Sequence, residues 1–214
     1  MSDPTPIRIP IDPLAPAAAA VEEAVRVLRR GGLVAYPTDT LYGLGADPRR
    51  AEAVERLFRA KGRAAEKAVP LVAADLQQVE QQVGVLTPLA RRLARRFWPG
   101  PLTLVIMAAA TLDGRLLAQG DTVAVRVPDL PLARALAQAL EAPLTATSAN
   151  RSGATPPTTA AAAVTALGSS VALVLDGGPA TAAEPSTIVD ARGASPVLLR
   201  PGVVAWDRVL ESLR

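Results

Sequence analysis

Lys61 and Lys67 stand six residues apart and are the only lysines in a chain whose other 21 basic residues are arginines. With Arg63 between them they form a cationic segment whose only acid is Glu66. Such a segment suits a polyanion such as a triphosphate, and a lysine kept where arginine is the habit marks a place that wants a compact ammonium. Three further stretches carry candidate chemistry. Residues 38–45, Thr-Asp-Thr-Leu-Tyr-Gly-Leu-Gly, offer hydroxyls together with glycines that allow close backbone approach. Ser148 and Asn150, with Ser152 and Gly153 behind them, put a hydroxyl and an amide on one side of the chain, where they can grip a phosphate or a ribose. Arg126 lies between Val125 and Val127, with Ser186-Thr187 and Arg200 in comparable places at strand ends. An arginine in an apolar run needs an anionic partner, either an internal Asp or Glu or a substrate carboxylate.

Each stretch also has a plainer reading: a strand-to-helix turn, a solvated basic loop, a capped turn. Residues 38–45 lack the spacing of a Walker A loop, and Gly43-x-Gly45 without a third glycine is a poor dinucleotide fingerprint. Arg91, Arg92, Arg95 and Arg96 fall on one helix face, which reads as solvated surface in preference to an RNA contact. The chain has no cysteine and no histidine. Disulfides, thiolate nucleophiles, imidazole bases and Cys- or His-ligated metals are therefore excluded. Chemistry must rest on Lys, Arg, hydroxyls, amides, carboxylates and backbone dipoles. A net charge of +3 over 214 residues is modest. No apolar run approaches the roughly 20 residues of a membrane span, and the N-terminus lacks signal-peptide features, so a cytoplasmic protein is expected.

The elements that must position these residues alternate. Helical spacing is read at 17–30, 49–60, 75–83, 88–97, 132–140 and 160–167. Apolar strands are read at 7–11, 33–36, 69–73, 102–107, 122–127, 144–147, 171–175, 187–190 and 197–199. Interleaving of this kind is α/β, and adjacent C-terminal strands without a helix between them argue for a mixed sheet. The chain is read as one domain over 1–214, with its core at about 17–205.

The order of the motifs is more specific than any one of them. Ala-Tyr-Pro-Thr-Asp-Thr-Leu-Tyr-Gly-Leu-Gly-Ala (35–46), Lys-Gly-Arg (61–63), Trp-Pro-Gly-Pro-Leu-Thr (98–103), Ala-Val-Arg-Val-Pro (124–128), Thr-Ser-Ala-Asn-x-Ser-Gly (147–153), Pro-Ser-Thr-Ile-Val-Asp (185–190) and Leu-Arg-Pro-Gly (199–202) follow one another. This series resembles the YrdC-like family, in particular threonylcarbamoyl-AMP synthases of the short type that lack an additional C-terminal domain. The resemblance implies a twisted, open mixed α/β sheet with helices packed on it and a concave basic cleft. It also implies a nucleotidyltransferase that joins L-threonine, bicarbonate or CO2, and ATP into threonylcarbamoyl-AMP and pyrophosphate. A partner enzyme of the tRNA threonylcarbamoyl-transferase machinery would then modify an adenosine next to the anticodon.

Carried over by motif, Thr40, Arg126 and Ser186 match the L-threonine-binding positions. Lys61 and Arg63 match the catalytic basic motif, while Arg63, Lys67, Thr122, Ser148, Asn150 and Arg200 match ATP contacts. Ala64 stands where many members have proline. No carboxylate cluster suggests metal ligands from protein side chains, so Mg2+ is expected to ride on ATP, and the protein is expected to be a monomer without a membrane partner. Two rivals are weighed: a double-stranded RNA- or tRNA-binding module without catalysis, in which the basic segments also allow weak RNA contact, and a relative making carbamoyl-adenylate from carbamoyl phosphate.

Overall fold

The computed structural model describes residues 5–62, 68–117, 120–180 and 184–214. Within them the first half of the chain forms β1 (Ile7–Pro10), α1 (Ala18–Arg29), β2 (Val34–Pro37), β3 (Tyr42–Gly45), α2 (Ala51–Lys61), β4 (Leu71–Val72), α3 (Leu76–Gln78), β5 (Gly84–Val85), α4 (Pro88–Phe97) and β6 (Leu102–Ala108). The second half forms β7 (Thr122–Arg126), α5 (Pro131–Leu140), β8 (Leu144–Thr145), β9 (Thr147–Ser148), α6 (Ala160–Leu167), β10 (Leu173–Asp176), β11 (Thr187–Asp190), β12 (Val197–Arg200) and α7 (Trp206–Glu211). The class is α/β, as the interleaved pattern requires.

The strands lie in two mixed sheets. One runs β1-β10-β2-β3-β9 and the other β12-β11-β6-β7-β4-β8, with β5 added alongside β6. Alternation along β2 explains how the first sheet is held. Leu33 and Ala35 join one apolar cluster with α2 and α6, while Val34 and Tyr36 join the other with α1 and α5. Both faces are thus covered, which is why this strand reads as continuously apolar. Helix α1 buries Ala20, Val21, Ala24, Val25 and Leu28, one stripe at helical spacing. Helix α4 begins at Pro88 behind Thr87, whose hydroxyl accepts the Ala90 amide as an N-cap. No helix among the described residues is long and apolar enough to cross a membrane.

Three expectations change in detail. Residues 42–45, read as loop, form strand β3 in a hairpin with β2. The Tyr36 ring lies over Gly43 and Gly45, where an added Cβ would stand 3.3 and 3.0 Å from it. These glycines make room for a cross-strand aromatic rather than a turn. The helix read at 75–83 is three residues of α3 followed by a wider π turn, Val79–Val83, with both valines buried. The strand read at 144–147 divides at Ala146, with β8 pairing β4 in the second sheet and β9 pairing β3 in the first.

Candidate functional site

A cavity of about 660 Å³ opens where strand ends from the two sheets face one another. Its wall from the first sheet includes Thr38, Thr40, Tyr42, Gly43 and Ser148. From the second sheet come Leu71, Val72, Thr103, Arg126, Ser186, Ile188 and Arg200. Strand β7 delivers Arg126 at its last residue, and β12 delivers Arg200 at its last.

Arg126 is buried, and its partner is internal. Nη1 donates to Asp39 Oδ1 at 2.5 Å and Nη2 to Thr38 Oγ1 at 3.4 Å. Thr38 Oγ1 lies 3.0 Å from Thr40 Oγ1, so one hydroxyl network ties the guanidinium to the β2–β3 connection. Arg200 is exposed at the cavity rim, but its guanidinium leans on Ser186. Nη2 donates to the Ser186 carbonyl at 2.7 Å and to Ser186 Oγ at 3.2 Å, and Nε to the same carbonyl at 3.2 Å. Among the described residues no carboxylate pairs with it. Desolvation of its charged end, and then the positive charge of Arg126, lower its pKa. With Arg126 already paired to Asp39, the two guanidiniums leave a net positive charge on the cavity that favours an anion. Ser186 Oγ also meets the buried Thr103 Oγ1 at 2.8 Å.

Behind this wall lies Lys61, only 3 % exposed. Its ammonium donates to the carbonyls of Ser148 at 2.6 Å and Asn150 at 2.8 Å, and its own carbonyl accepts the Ser152 amide. Gly62, in the left-handed conformation at φ 57°, ends α2 so that this lysine sits at the turn. Asn150 donates from Nδ2 to the carbonyls of Arg151 and Ala154, while its buried Oδ1 has no hydrogen-bond partner. A buried acceptor left without a donor is costly and marks a place where one would be welcome. Tyr42 donates to the Gly178 carbonyl at 2.7 Å, and burial pushes its pKa up to about 12. Burial raises Tyr36 as well.

Of the sequence candidates, Thr40, Arg126, Ser148, Ser186 and Arg200 line one cavity. Lys61 and Asn150 support it from behind. Thr122 is placed apart from these residues. It sits at the opposite end of β7 from Arg126, paired with Met107, and is not among the lining residues. Arg63 and Lys67 lie outside the described residues. Consequently the described lining is less basic than expected, with Arg126 and Arg200 its charged members and Asp39 offsetting the first. Residue-by-residue reading missed Thr38, Asp39 and Thr103 as separate contributors, although all three stand inside the quoted motifs. On α4, Arg91 is bound to Glu80, and Arg92 donates to the carbonyls of Ser212 and Arg214. Half of that basic stripe is engaged in holding the chain's own elements together.

Comparison with known proteins places this geometry. The pattern of the Sua5/YciO/YrdC family, described as telomere recombination, matches residues 26–202. Threonylcarbamoyl-AMP synthase of Thiobacillus denitrificans is 46% identical over 163 residues, which are 76% of this chain and 86% of that protein. Threonylcarbamoyl-AMP synthase of Bacillus subtilis is 38% identical over 190 residues, 88% of this chain but 55% of that longer protein. The solved structure of P. abyssi Sua5 complexed with L-threonine superposes with a TM-score of 0.92 at 36% identity, covering 97% of this chain and 61% of its own.

Proposed function

The chain belongs to the Sua5/YciO/YrdC family, and on that footing we propose that it is a threonylcarbamoyl-AMP synthase, a nucleotidyltransferase. It condenses L-threonine, carbon dioxide or bicarbonate, and ATP into threonylcarbamoyl-AMP and pyrophosphate. The product then passes to the tRNA threonylcarbamoyl-transferase machinery for modification of an adenosine beside the anticodon. The same reading has it act in the cytoplasm as a monomer.

The observation that supports this reading best is the convergence of Arg126 and Arg200, from different strands, on one hydroxyl-lined cavity. The chain's likeness to a Sua5 structure holding L-threonine points the same way. Arg126 takes the amino-acid carboxylate, with Thr40 and Ser186 on the remaining polar groups. Arg200 and Ser148 face the nucleotide, and the buried Asn150 Oδ1 accepts from one of its hydroxyl or amine groups. Lys61 holds the 148–150 segment in place, Arg63 and Lys67 attend the phosphates, and Mg2+ arrives as part of MgATP. The neutral threonine amine adds to carbon dioxide and loses a proton to solvent to give a carbamate. A carbamate oxygen attacks the α-phosphorus as the bond to pyrophosphate breaks. Positioning and charge stabilisation carry such a step, and the residue inventory supplies both.

The test is to incubate the protein with MgATP, bicarbonate and each amino acid separately and to look for the adenylate by mass. Pyrophosphate release that requires both threonine and bicarbonate is expected. ATP consumption indifferent to threonine would sink the assignment, and RNA affinity without ATP turnover would restore the binding-module alternative.

A further inference from the structure

Asp39 occupies the short connection between β2 and β3 but is not itself among the cavity-lining residues, although Thr38 and Thr40 on either side of it are. Its side chain is 13 % exposed and that of Arg126 is 8 % exposed. Asp39 Oδ1 takes Arg126 Nη1 at 2.5 Å, and Oδ2 accepts the Asp129 amide at 3.3 Å. The second guanidinium nitrogen is held by Thr38 Oγ1. Both terminal nitrogens of an arginine on one sheet are thus fixed by a turn on the other. The carboxylate reaches the guanidinium from beside the cavity rather than across it.

From this geometry we infer that Asp39 is a positioning residue for amino-acid binding: it sets the plane of the Arg126 guanidinium and leaves that group's remaining N–H donors to a substrate carboxylate. This rests on the proposed function, in which Arg126 receives L-threonine. A planar fork binds a carboxylate well only when its plane is fixed, and a long side chain that is not held loses that advantage to rotamer freedom. Asp39 also neutralises Arg126, so that Arg200 supplies the net positive charge of the described wall. Amino-acid affinity then depends on the orientation of Arg126, whereas nucleotide affinity, drawing on Arg200 and Ser148, is independent of Asp39.

Titration calorimetry of the full chain with L-threonine and, separately, with MgATP tests this for wild type, Asp39→Asn and Asp39→Glu. Asp39→Asn keeps the shape but loses the charge, and threonine binding should weaken at least about tenfold while MgATP binding stays within about twofold. Asp39→Glu keeps the charge but displaces it by one methylene, and should lose threonine affinity by a smaller factor. If the Asn variant does not fold, the Glu variant carries the same split. Threonine binding equal to or tighter than wild type in the folded variants would overturn the inference, as would parallel losses for both ligands. A wild-type protein that fails to bind threonine at all would instead defeat the functional reading on which it rests.

Discussion

Lys61 shows how a residue picked out by composition gains a further task once its surroundings are visible. Its rarity and spacing suggest a cation aimed at phosphates, and its buried ammonium also donates to the Ser148 and Asn150 carbonyls. Removing it with Lys61→Met leaves those carbonyls without that donor, at a cost of about 1–3 kcal/mol for each one buried and unsatisfied. A lower melting temperature together with a raised KM for ATP is expected. Lys61→Arg keeps the charge but must fit a planar fork into a space built for an ammonium, and turnover should fall. Steady-state kinetics at wild-type level for Lys61→Arg would show that compactness is irrelevant. Arg126 teaches the converse. Its need for an anion was legible from Val125 and Val127, but its partner was not, because Asp39 lies 87 positions away on the other sheet.

At the level of elements, the segment 199–202, the end of β12 and the two residues after it, governs two site residues at once. Gly202 packs beneath the 185–187 segment, where an added Cβ would fall 2.2 Å from the Pro185 carbonyl oxygen and 2.6 Å from the Ser186 carbonyl carbon. Gly202→Ala must therefore move Ser186, and with it the carbonyl that holds Arg200. Overpacking of this sort costs about 1–3 kcal/mol. The expected result is a lower melting temperature and weaker threonine and ATP kinetics together, and unchanged kinetics would show that this segment does not govern the site. Helix α1 and strand β7 could be read from sequence because each carries its own pattern. Strand β3 could not, because Gly43 and Gly45 look like turn formers until Tyr36 is set over them. The division of 144–148 between sheets was hidden for a related reason, since strand partners are chosen by distant segments and leave little local trace.

For the molecule as a whole, the tyrosines report on integrity. There are two, Tyr36 and Tyr42, both fully buried, and burial raises both pKa values. The unfolded chain ionises near the ordinary value of 10, whereas the folded chain keeps its protons to about 12 at Tyr42 and beyond at Tyr36. Their contribution to stability is complete below pH 10 and is lost as pH rises toward 12. An alkaline titration followed by tyrosinate absorbance should stay silent through pH 10 and then rise together with loss of circular dichroism. Tyrosinate appearing at pH 10 in a folded protein would contradict the burial.

The segment from Leu144 to Ser148 changes sheets across a single residue, Ala146. The Ala146 amide bonds to the Pro70 carbonyl, and the Thr145 hydroxyl joins the Leu44 carbonyl to the Ala46 amide. This seam locks the jaws of the cleft to each other. Swinging one sheet outward like a door would tear those bonds, so a ligand of the cavity would have to enter past the strand-end loops.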